Sequence, residues 1–89
     1  MVKLSIENIQ KIKEMILNEI YHNSPKALYT AEIARLIIRD EEFTKKLLLE
    51  LKQSSLIEEI KKSPEGNLLL KRSRWKLTNE TFKAYQKLV

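Results

Sequence analysis

Apolar positions along this chain follow two different periods. From Ser5 to Tyr21, Ile6, Ile9, Ile12, Ile16 and Ile20 recur at intervals of three and four, the repeat of one helix face. Ser5 can cap the free amides at the start, and Asn23, Ser24 and Pro25 break the pattern, so a helix is predicted over 5–22. Residues 27–29 are long enough only for a bridging strand. Thr30 is the expected N-cap of a second helix over 31–39, with Ile33, Ala34, Leu36 and Ile37 on its buried side. Asp40 is the expected N-cap of a third helix over 41–53. Glu41 and Glu42 sit in its first turn, where the helix dipole favours them, and Phe43, Leu47, Leu48 and Leu51 form its core face.

From Leu56 the period becomes two, and a hairpin is predicted over 56–77. Ser63-Pro64-Glu65-Gly66 suits a type I turn followed by a left-handed glycine. That turn implies a register in which paired residue numbers sum to 130. Glu59 then faces Lys71, Glu58 faces Arg72 and Ile60 faces Leu70, pairs that contribute roughly 0.2–1 kcal/mol each. A last helix over 79–88, capped by Thr78 or Asn79, carries Phe82, Tyr85 and Leu88 on one stripe. No repeat, low-complexity stretch or linker divides the chain, so 1–89 is read as one domain.

Charge sharpens this picture. The net charge is +5 over 89 residues, but residues 1–60 hold nine Lys/Arg against ten Asp/Glu, while 61–89 hold eight against two. The excess belongs to the hairpin region, and a polyanion is the natural partner of such a patch. With 43% apolar and 33% charged residues the chain reads as a globular protein that buries about 60–65% of its unfolded surface. No apolar run exceeds three residues and the N-terminus lacks a signal core, so neither a membrane partner nor export is expected, and the cytoplasm is the expected compartment. The absence of cysteine removes disulfides and thiolate metal sites. Lys, Glu, Ile and Leu dominate, a bias shared with hyperthermophile proteins, thermophilic archaea being one such source.

The order helix, strand, helix, helix, strand, strand, helix resembles the winged helix-turn-helix superfamily over residues 28–82. Thr30-Ala31-Glu32-Ile33-Ala34 is similar to the start of its second helix. Leu48, Leu51, Ser55, Leu56 and Ile57 resemble the end of its third, with Ser55 where glycine is usual. Arg74-Trp75-Lys76-Leu77-Thr78 resembles its second wing strand. The resemblance implies an α+β fold with a small three-stranded antiparallel sheet. It also implies a double-stranded DNA partner, with the third helix in the major groove and the wing on backbone or minor groove.

Taken residue by residue, the outward side of helix 41–53 offers Lys45, Lys46, Lys52 and Gln53 to DNA, along with Glu42, Leu49 and Glu50. Only Gln53 is a good bidentate base reader. The wing offers more: Lys61, Lys62, Lys71, Arg72, Arg74 and Lys76. Period two puts Arg72, Arg74 and Lys76 on one face, roughly 6.8 Å apart, with Trp75 and Leu77 turned inward. Trp75 is expected in the core, the alternative being an exposed platform for stacking a base.

The function expected is therefore a DNA-binding transcription regulator whose phosphate contacts come mainly from the wing, with a homodimer suited to a palindromic site. The alternative is a protein-interaction module built on helix 41–53 or the terminal helices, with Leu49, Met15 and Leu17 as its apolar contacts. Catalysis is not expected. His22, the lone histidine, falls at a helix C-terminus where the dipole accounts for it. The pairs Glu41-Glu42 and Glu58-Glu59 are adjacent in sequence and diverge on either a helix or a strand. No metal or other cofactor is implied.

Overall fold

The computed structural model describes residues 6–61 and 73–88. The elements are α1 (Ile6–Asn23), β1 (Leu28–Tyr29), α2 (Thr30–Ile37), α3 (Glu41–Gln53), β2 (Ile57–Ile60), β3 (Arg74–Leu77) and α4 (Asn79–Leu88). The three strands form one antiparallel sheet in the order β1-β3-β2, which makes β3 the central strand. This is the α+β winged helix-turn-helix arrangement.

One apolar core joins the layers. Ile12, Ile16, Leu17 and Ile20 of α1, Leu28 of β1, Ile33 and Ile37 of α2, Leu47, Leu48 and Leu51 of α3, Ile57 of β2, and Trp75 and Leu77 of β3 are all buried. Leu17 therefore cannot serve as the exposed partner contact expected of it: α1 buries a wider face than the isoleucine stripe alone. Ile6 and Leu88, read as the two ends of helix stripes, are instead largely exposed, because no described element covers the first turn of α1 or the last of α4. On α2, Leu36 lies outside the core. On α3, Thr44 is fully buried and Phe43 only partly, since the Thr44 hydroxyl can be satisfied locally by donating to the Asp40 carbonyl at 2.8 Å.

The helix ends are set by a few side chains. At the end of α1, His22 Nδ1 donates to Asn18 O at 2.8 Å, Asn23 Nδ2 to Glu19 O at 2.8 Å and Ser24 Oγ to Ile20 O at 3.0 Å. These bonds fold the last side chains of α1, and Ser24 just after it, back onto the carbonyls of its closing turns. Asp40 caps α3, its Oδ1 accepting from Phe43 N at 2.8 Å. Thr78 precedes α4 and accepts from Thr81 N at 3.4 Å.

The second helix differs from the sequence expectation at both ends. Its N-cap is Tyr29, whose amide donates to Glu32 Oε1 at 2.9 Å; Thr30 lies inside the helix because its hydroxyl is used elsewhere, as described below. It stops at Ile37, two residues before the expected end. Ile38 adopts a left-handed conformation (φ 57, ψ 53), and Arg39 N returns to Ala34 O at 3.0 Å, closing the helix. Ser55 likewise has φ 63, filling the place where glycine is usual after α3.

The hairpin register is the largest correction. Ile57 pairs with Leu77, Glu58 with Lys76, Glu59 with Trp75 and Ile60 with Arg74, so paired numbers sum to 134 rather than 130. Both sums are even, so the same side chains still point inward. What changes is who faces whom. A sum of 130 would leave Trp75 and Leu77 opposite the end of α3 and the turn after it. A sum of 134 lays Ile57 against Leu77 on the buried face. Burying a large apolar side chain contributes about 1.5–3 kcal/mol, more than the cross-strand charge pairs that favoured the other register. The Ser5 cap, the Ser63–Gly66 turn, Lys62, Leu70, Lys71 and Arg72 lie outside the described residues.

Candidate nucleic-acid interface

Two surfaces carry the basic residues singled out in the sequence, and the structure treats them differently. On the wing, β3 alternates as its period demands: Trp75 and Leu77 are buried, Lys76 is exposed and Arg74 half-buried on the other face. Trp75 has no exposed surface, which rules out the stacking-platform reading. Its indole Nε1 donates to Thr30 Oγ1 at 2.8 Å, so the central strand is tied to the first residue of α2.

The wing lysines are not as free as their spacing suggested. Lys76 Nζ lies 3.8 Å from Glu58 Oε2. Lys52 Nζ, at the end of α3, lies 2.8 Å from Glu59 Oε1, and Lys61 Nζ lies 4.0 Å from Glu59 Oε2. Ser73 Oγ also donates to Glu59 Oε2. Glu59 thus joins α3 to both strands of the wing, a role the sequence reading missed. The available signal was its position two residues after Ile57, which puts it on the inward face where an acid needs partners. Its side chain is only 8% exposed. Burial pushes its carboxyl up, but hydrogen bonds from Lys52 and Ser73 and the charges of Lys52 and Lys61 outweigh this and hold it below 4.5. Glu58 is exposed on the opposite face, so the two adjacent carboxylates diverge and form no acid–base pair.

The outward face of α3 is the less encumbered surface. Glu42, Lys45, Lys46, Leu49, Glu50 and Gln53 line a shallow groove of about 390 Å³. Glu50 is engaged by Lys13 of α1 at 2.8 Å, and among the described residues neither Lys45 nor Lys46 has an acidic partner. Leu49 is 41% exposed and Met15, on α1, 47%; the two belong to different helices and share no groove with one another. Among the described residues no group of His, Cys, Asp or Glu could hold a metal, and no helix is long and apolar enough to cross a membrane.

An α3 face beside a three-stranded wing defines the class of fold, the winged helix-turn-helix. Solved structures of transcription regulators share it. An S. aureus MepR–DNA complex superposes with a TM-score of 0.74 over 93% of this chain and 65% of that one, at 19% identity. Lactococcus lactis ZitR in its apo form gives 0.71, 20% identity and coverage of 92% and 57%. A MarR family transcriptional regulator from Silicibacter pomeroyi gives 0.70, 17% identity and coverage of 92% and 51%. This chain therefore spans about half to two-thirds of the length of those proteins. The sequence matches no protein-family model and no curated protein.

Proposed function

We propose that this chain is a non-catalytic, DNA-binding winged-helix domain over residues 1–89 that acts as a cytoplasmic transcription regulator. The observation that carries this reading is the outward face of α3, where Lys45 and Lys46 stand without acidic partners beside Gln53. Phosphate contacts come from these two lysines together with Arg74 and Lys76 on the outer face of the wing; Lys61, Lys62, Lys71 and Arg72 add to the positive field. Lys76 is loosely held by Glu58, a pair exposed on both sides that a phosphate can displace at little cost. Lys52 is closer and better aligned with Glu59, so its part is to brace α3 against the wing. The DNA in the MepR complex supports the same assignment for this fold.

A homodimer belongs to this reading. Ile6 and Met15 on α1 and Leu88 on α4 leave exposed apolar groups on the terminal helices, and two copies would double the phosphate contacts. Light scattering measures the mass directly.

The test is titration of a fluorescent duplex at several salt concentrations. Neutralising about three to five phosphates gives a slope of log K against log salt of roughly −3 to −4.5. Replacing Lys45 and Lys46 with Ala should flatten that slope by roughly 2. Failure to bind any duplex at low salt would remove the proposal.

A further inference from the structure

Leu49 is the one apolar side chain among the residues that line the α3 groove. A single exposed leucine is common on protein surfaces. What distinguishes this one is its place. Lys45 precedes it by four residues and Gln53 follows by four, so the three stand in one row along the helix, on the groove they line together. The flanking lysines argue against a protein partner, because the cores of protein–protein interfaces are depleted in lysine. They suit a polyanion whose grooves also carry apolar groups. The major groove of DNA has one such group, the 5-methyl of thymine, and apolar side chains read it by contact.

The geometry points to Leu49 as the side chain of this protein that selects thymine, with Gln53 directed at an adenine nearby. This rests on the DNA-binding reading above and adds the base chemistry to it. Successive members of the row lie roughly 6 Å apart along the axis, at about 1.5 Å rise per residue. At about 3.4 Å per base pair, Leu49 and Gln53 address positions about two base pairs apart. Lys45 contributes a phosphate contact at the same edge. Glu50, which would otherwise repel DNA beside Leu49, is neutralised by Lys13.

Removing one methyl separates thymine from uracil and alters nothing else in the duplex. Duplexes enriched from a random pool by the full chain are remade with deoxyuridine at each thymine in turn. Affinity is then measured by fluorescence anisotropy for the wild type and for Leu49→Ala. One uracil position should weaken the wild type about fourfold, the cost of one lost buried methyl group. Leu49→Ala should bind the thymine duplex several-fold more weakly and lose the uracil penalty at that position alone. The exposed site on α3 makes alanine a benign change for folding, and Leu49→Met, which keeps an apolar contact, should retain most of the penalty.

Duplex binding that is indifferent to uracil at every position, or a pool with no preferred sequence, overturns the inference and leaves the proposed function standing. A penalty that persists in Leu49→Ala overturns it as well. So does Leu49→Asp dissociating a complex of two copies in light scattering while leaving duplex affinity per copy unchanged. A wild type that binds no duplex removes the proposed function, and the inference with it.

Discussion

Thr30→Val isolates the link between the wing and the helical core. Trp75 lies on the central strand with no exposed surface, and its indole N–H donates to Thr30 Oγ1 at 2.8 Å. Valine preserves the shape of threonine but removes the acceptor, which strands a buried donor at a cost of about 1–3 kcal/mol. Thr30 is itself only half-buried, so the added methyl recovers a few tenths of a kcal/mol at most, leaving a net loss of about 1–2 kcal/mol. For a domain of this size each kcal/mol lowers Tm by roughly 4–8 °C, and at about 1–3 kcal/mol per molar urea the midpoint falls by roughly 0.3–2 M. Urea denaturation followed by Trp75 fluorescence and by far-UV circular dichroism reports the strand and the helices separately. Thr30→Ser keeps the hydroxyl and should lose much less. In a Trp75→Phe background, which has no donor to strand, the valine substitution should cost almost nothing. A Thr30→Val protein as stable as wild type in the native background would refute the link.

Ile38→Gly should stabilise the protein by about 1 kcal/mol in urea denaturation, because a left-handed β-branched residue with 87% of its surface exposed loses strain and little packing. Glu59→Gln should destabilise at pH 7 by about 1–2 kcal/mol, since its partners Lys52 and Ser73 lose a charged acceptor and Lys52 is half-exposed. The Glu59 carboxyl is held lower in the folded state than in the unfolded one. Its contribution is therefore complete above pH 4.5 and is lost as pH falls through the folded value. The stability gap between wild type and Glu59→Gln should narrow there, and a gap independent of pH from 7 to 3 would contradict the charge assignment. Lys76→Ala should weaken duplex binding less than Lys45→Ala in anisotropy titrations, because Lys76 must first leave Glu58.

Which side chains face inward was legible along most of the chain. Helical and strand periods are local properties of the backbone, so Ile12, Ile16, Leu47, Leu51, Trp75 and Leu77 could be assigned to the core from spacing alone. Apart from Leu17, in the middle of α1, the misplacements fall where an element begins or ends. Ile6 and Leu88 keep the period but have nothing to pack against, and Leu36 sits on the last turn of a helix that Ile38 closes early. The candidate interface was only partly legible. Charge density drew attention to the wing, but density along a sequence does not reveal which lysines are already engaged.

By itself, then, the sequence determined the order of elements, the inward face of most of their side chains, and the Asp40 cap, all governed by interactions within about four residues. Tertiary structure decided the sum of 134 in the hairpin, the capture of Lys52 and Ser73 by Glu59, and the use of Thr30 as the partner of Trp75. Each of these joins residues that are distant along the chain or belong to different elements. Their energies are small beside the burial of Trp75, Leu77 and Ile57, so core packing sets where the strands meet and the polar groups pair with whatever that placement brings within reach.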